Sequence, residues 1–143
     1  MEEKNMSMSD EMKRQLGEFI KLQVYDDKYI DRAEEKNILA EAVKRNIPLD
    51  EALAVMRQIA ETNDYVVERD VEDQAKEMLE QFASNDGKID KKEFENALGM
   101  YKRATRGRVP ESKAKKCLKD IILNNGWKVK EGGLFGSKWF SEI

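Results

Sequence analysis

Apolar residues recur along this chain at intervals of three and four, the spacing that gathers them on one face of an α-helix. Met12, Leu16, Phe19 and Ile20 mark a first helix, capped by Ser9 and running to about Val24. A polar break, Tyr25-Asp26-Asp27-Lys28-Tyr29, follows. Asp31 and Glu34 then form a capping box, in which each side chain accepts the other residue's backbone N–H, and the helix behind it turns Ile38, Leu39, Ala42 and Val43 inward as far as Asn46. Ile47-Pro48-Leu49-Asp50 opens a third helix, with Asp50 as its cap and Leu53, Met56, Ile59 and Ala60 as its inner stripe. Residues 62–64 read as a turn and residues 65–67 as a short extended piece. A fourth helix is predicted from about Asp70 to Phe82, burying Val71, Ala75, Met78, Leu79 and Phe82. Residues 83–87 read as the clearest loop. Asp90 and Glu93 are a second capping box, ahead of a helix burying Phe94, Ala97, Leu98 and Tyr101. Arg106-Gly107-Arg108 breaks that helix. Pro110 opens a sixth, which buries Ala114, Cys117, Leu118, Ile121 and Ile122 and stops at Asn124-Asn125-Gly126.

These segments predict an all-α helical bundle of about six helices. The expected organisation is a disordered tail over residues 1–8 and a single helical domain over 9–143, ending in an aromatic, glycine-broken tail over 127–143. The bundle also reads as a duplication. Residues 26–39 and 85–98 share six of fourteen positions: Asp27/Asp86, Ile30/Ile89, Asp31/Asp90, Glu34/Glu93, Asn37/Asn96 and Leu39/Leu98. Ordinary composition gives roughly one match by chance. The likeness resumes with Pro48/Pro110, Ala52/Ala114 and Ile59/Ile121. Two repeat-like units follow, at about 25–67 and 84–129.

Composition narrows the chemistry. The 143 residues contain no histidine, which excludes histidine general bases, Ser-His-Asp triads and Cys2His2 zinc sites. Cys117 is the only cysteine, so no intrachain disulfide can form. Its helical stripe with Leu118 and Ile121 reads as a buried, inert thiol. Residues 132–139, GGLFGSKW, lack the spacing of a phosphate loop. No window supplies the ~18 apolar residues of a membrane span. The acidic, polar N-terminus reads as no secretory signal. These features lead us to expect a non-enzyme in a reducing, cytoplasmic setting.

The stretch from Phe82 to Glu93 has the spacing of a calcium-binding EF-hand loop. Gly87 stands at the sixth position, Ile89 at the eighth and Glu93 at the twelfth. Ser84, Asp86, the Lys88 carbonyl, Asp90 and Glu93 form the candidate ligand set. Phe82 stands where the first aspartate belongs, so calcium is expected to bind with low affinity, and no cofactor is required. In the earlier copy Lys28 replaces the glycine. The same residues also read simply as helix-capping devices. The pattern resembles degenerate EF-hand-like proteins, in particular the tellurite-resistance-B-like group of small all-α proteins. Asp86-Gly87-Lys88-Ile89-Asp90 with Glu93 carries that resemblance, and Asp27 to Glu34 does so less closely. The resemblance implies an α-helical bundle built from EF-hand-like units and an acidic metal site.

Charge is divided unevenly. Residues 1–98 hold 25 acidic against 15 basic side chains, net −10, whereas residues 99–143 hold 4 against 11, net +7. Lys102, Arg103, Arg106, Arg108, Lys113, Lys115, Lys116 and Lys119, with Trp127 beside them, form a candidate basic face. Such a face suits an acidic protein partner, or a nucleic acid or other anionic surface. The expected function is a cytoplasmic protein–protein adaptor or regulatory domain. A calcium-responsive switch and a binder of nucleic acid or an anionic surface are the alternatives.

Overall fold

The computed structural model describes residues 9–25, 27–132 and 138–143. The expected disordered tail over 1–8 lies outside them, as do Asp26 and residues 133–137. The fold is all-α. Six helices and four two-residue strands follow in the order α1 (Asp10–Gln23), β1 (Tyr29–Ile30), α2 (Arg32–Lys44), α3 (Leu49–Asn63), β2 (Val66–Val67), α4 (Glu68–Asp86), β3 (Lys88–Ile89), α5 (Lys91–Ala104), α6 (Glu111–Asn124) and β4 (Lys128–Val129). The chain divides into two compact units, with the boundary between Arg69 and Asp70.

The first unit packs α1, α2 and α3 around Leu16, Ile20, Ile30, Ile38, Ala42, Ala52 and Met56, all at or near zero exposure. β1 pairs with β2 in parallel, Tyr29 opposite Val66 and Ile30 opposite Val67. Two helices separate the paired strands, which is the length of crossover that parallel pairing needs. The second unit repeats this plan. Ala75, Leu79, Ile89, Ala97, Leu98, Ala114, Leu118 and Ile122 are buried, and β3 pairs with β4 in the same register, Lys88 opposite Lys128 and Ile89 opposite Val129.

The helix ends repeat as well. Asp31 and Asp90 each accept the N–H of the glutamate three residues on, at 2.7 Å, and Glu34 and Glu93 each accept the aspartate N–H in return, at 3.0 Å. Pro48 and Pro110 precede α3 and α6, and their carbonyls take the first helical amides, from Ala52 and Ala114. Both of these helices end on a left-handed residue, Asp64 and Gly126, whose successor's N–H reaches back five residues to Ala60 and Ile122.

Several local expectations change: Met78 and Phe82 of α4 and Cys117 and Ile121 of α6, expected to be buried, are half-buried. Asp50 does not cap α3, since Pro48 precedes the first helical residue, Leu49. Val43 points outward at 60% exposure. The fourth helix starts at Glu68 and continues past Phe82 to Asp86, absorbing most of the predicted loop. Ala83 is buried on its inner face, and the helix stops only where Gly87 takes φ +81°.

Candidate functional site

The acidic stretch can be read residue by residue. Ser84 and Asp86 lie in the last turn of α4, where the Ser84 hydroxyl donates to the Gln81 carbonyl at 3.0 Å. Asp86 accepts the Lys88 N–H at 3.1 Å, closing the turn over Gly87. Asp90 and Glu93 are joined to each other's backbone in the capping box. The earlier copy does the same, with Asp27 accepting the Tyr29 N–H at 3.2 Å. Every carboxylate of the candidate ligand set therefore accepts a backbone amide of its own turn. Among the described residues no three His, Cys, Asp or Glu side chains converge on a metal position. The donor set that the EF-hand resemblance implies does not fit a metal in this geometry.

The candidate basic residues separate into groups. Lys102, at the end of α5, meets Glu111, the first residue of α6, at 2.6 Å, and Lys115 approaches the other Glu111 oxygen at 3.5 Å. These contacts, led by the Lys102 hydrogen bond, hold the Glu111 carboxyl below its ordinary pKa. Arg103, Arg106 and Arg108 are exposed around the α5–α6 connection. Lys113 and Lys116 lie on the other side of α6, bordering a cavity of about 360 Å³ shared with Glu72, Cys117 and Asp120. The half-buried Cys117 thiol stands 3.4 Å from the Tyr101 hydroxyl and 3.8 Å from a Glu72 carboxylate oxygen. Lys119 turns toward the chain's last residues, donating to the Phe140 and Ile143 carbonyls at 3.2 Å each, with its ammonium 5.1 Å from the Phe140 ring centroid. Trp127 follows the far end of α6, about 20 Å of helix away from Glu111. It does not join the arginines.

The aromatic residue that does reach this end of the unit is Trp139. Its ring lies 5.2 Å from Phe94 of α5 and 5.5 Å from Phe140, and Phe140 meets Phe94 edge-on at 6.5 Å. Such pairs add about 0.5–1.5 kcal/mol each beyond the area they bury. The Trp139 indole donates to the Lys130 carbonyl at 3.2 Å. Glu131 accepts the amides of Phe140 and Ser141 and the Ser141 hydroxyl, and the Ser141 amide foremost lowers its pKa. Residues 138–143 are thereby fixed against α5 and α6.

Between these elements lies a cleft. Its inner part is a cavity of about 280 Å³ lined by Lys91, Phe94, Glu95, Leu98, Glu111, Lys115, Trp139 and Ile143. An outer part adds Ser112 and Glu142. Four apolar side chains line it, together with two lysines and three glutamates. Of the expected basic face, Lys115 alone lines the cleft directly, and Lys102 reaches it through Glu111. Sequence reasoning missed Lys91, Phe94, Leu98 and Trp139 as site residues. The signal available was the Trp139-Phe140 pair in the aromatic, glycine-broken tail.

The first unit has a shallower groove at the end of α1, lined by Arg14, Gln15, Glu18, Phe19, Leu22 and Arg45. Leu22 and Tyr25 are mostly exposed there. No helix of the described residues is long and apolar enough to cross a membrane. Comparisons with protein-family models, curated protein sequences and solved structures find no match to the chain.

Proposed function

We propose that this chain is a non-catalytic interaction module, an adaptor or regulatory subunit, that docks a segment of a protein partner in the cleft of its second unit. The observation that carries the reading is the cleft itself: apolar walls of Phe94, Leu98 and Trp139, bordered by charges of both signs from Lys91, Lys115, Glu95 and Glu111. Apolar walls that exclude water, bordered by charged groups that set orientation, are the anatomy of a protein-docking site. The exposed arginines of the α5–α6 connection extend the positive field around it and favour encounter with an acidic partner. The protein reading is favoured over nucleic acid because the cleft encloses its aromatic wall. Trp127, the aromatic residue expected to stack on a base, is half-buried and lies at the other end of α6.

The test is recovery of partners from the native host on the wild-type chain and on a Lys91→Glu/Lys115→Glu variant. A specific protein should co-purify with the wild type and be lost from the variant. Identical recovery on both, or nothing above background on either, contradicts the reading.

A further inference from the structure

Val43 and Leu49 of the first unit are 60% and 51% exposed, and Leu39 and Leu53 beside them are half-buried. Leu39 and Val43 stand one turn apart on α2, and Leu49 and Leu53 one turn apart on α3, so the four make one apolar face. The fold does not require apolar residues at 43, 49 and 53. The second unit, on the same backbone plan, holds Lys102, Glu111 and Lys115 at the matching positions. There Lys102 meets Glu111 at 2.6 Å and Lys115 approaches it at 3.5 Å, all about half exposed. Those contacts show which positions of the paired helices adjoin, and they set Val43 beside Leu49. One unit thus gives water a charged face where the other gives it a contiguous apolar one, the mark of a surface that something covers.

The two ends of the face differ in sign. Lys36, exposed, stands about 10 Å of helix before Val43, and Arg57, exposed, is one turn past Leu53 at the same end. Arg32 also lies at that end, paired with the buried Glu35 at 3.9 Å. Asp50, exposed, follows Leu49 at the other end, beside the α2–α3 turn. We infer that this face is the interface with a second copy of this chain, paired about a two-fold axis. The axis passes through the four apolar side chains, so Lys36 and Arg57 of each copy lie over Asp50 of the other. A partner of a single charge would be attracted at one end and repelled at the other. A second copy, reversed end for end, matches both. Four side chains give less than the ~800 Å² that each partner buries in a standard interface. The dimer is therefore weak, half-formed at roughly 0.1 mM chain.

The experiment is sedimentation equilibrium of the intact chain at low salt, from about 5 µM to about 500 µM. The wild type should pass from monomer to dimer over that range. Val43→Lys with Leu49→Glu gives the first unit the pair that the second unit carries as Lys102 and Glu111, so the helices keep a packing this fold already accepts. That variant should weaken the dimer roughly tenfold or more. Lys36→Glu leaves the apolar face intact and should weaken the dimer roughly three- to tenfold, and adding Asp50→Lys should recover much of the loss by reversing both signs. A wild type that stays monomeric throughout overturns the second copy as occupant and leaves the face to a different protein. A dimer that Val43→Lys/Leu49→Glu does not weaken uses another surface and overturns the assignment. A dimer lost in that variant but indifferent to Lys36→Glu, or not recovered by Asp50→Lys, overturns the two-fold arrangement.

Discussion

At residue 35 the first unit buries a carboxylate, and at the corresponding residue 94 the second buries a phenyl ring. The surroundings follow from the difference. Glu35, 3% exposed, is met by the Arg69 guanidinium, whose Nε donates at 2.7 Å, and Phe94 is met by Trp139 and Phe140. A buried charge that loses its main partner retains most of its desolvation cost, and among the described residues only the Arg32 guanidinium at 3.9 Å is left to offset it, so Arg69→Ala should lower stability by about 2–3 kcal/mol in urea unfolding. Replacing both, with Glu35→Leu and Arg69→Met, should recover most of that loss, and a loss from Arg69→Ala within ~0.5 kcal/mol contradicts the pairing. Beside it, burial foremost, together with the charges of Asp31, Asp27 and Glu68, raises the Glu34 pKa in the folded chain. The folded state then holds that proton more tightly than the unfolded state does. Glu34 favours folding below the ordinary glutamate pKa, and a penalty develops as pH rises through the raised value. Glu34→Gln keeps an oxygen for the Asp31 amide and removes the charge, so its melting temperature should gain on the wild type between about pH 4 and pH 7. A gain that is flat across that range contradicts the assignment.

Among the elements, the short turns before α2 and α5 show what could be read in advance. Both capping boxes, the Ser9 cap and the proline starts are local chemistry, visible as residue types at fixed offsets. The end of α4 was not legible, because Asn85-Asp86-Gly87 has the composition of a loop while the inward face of the helix continues through Ala83. The two turns also share a left-handed residue, Lys28 at φ +55° and Gly87 at φ +81°. A side chain at that backbone conformation costs about 1 kcal/mol. Gly87→Ala should therefore destabilise by about that amount and Lys28→Gly should stabilise by somewhat less, measured by thermal melts; equal signs for the two contradict the account. Because the carboxylates of these turns accept their own amides, calcium up to about 1 mM should leave the Gly87 amide signal of chelator-stripped protein unmoved. A saturable shift would support the EF-hand reading instead.

Across the whole molecule, the two units repeat one plan with different surfaces. The repeated plan was legible because buried residues and caps recur in the same order, Ile30 with Ile89 and Ala52 with Ala114, and the strand registers repeat with them. The site was legible only in part. Sequence gives the number of cations near α6. It cannot show that Lys102 and Lys115 share one carboxylate, that Lys119 faces inward to the Phe140 and Ile143 carbonyls, or that Trp139 rather than Trp127 reaches the cleft. The first depends on how α5 meets α6 and the other two on where the chain returns after β4, which no local pattern encodes. The two tryptophans stand on different parts of the second unit and report separately. The most direct test follows their two indole N–H signals by NMR as the partner protein recovered on the wild-type chain is added. The Trp139 signal should shift saturably while Trp127 stays in place. A titration in which Trp139 does not move, or in which Trp127 alone moves, would contradict docking in this cleft.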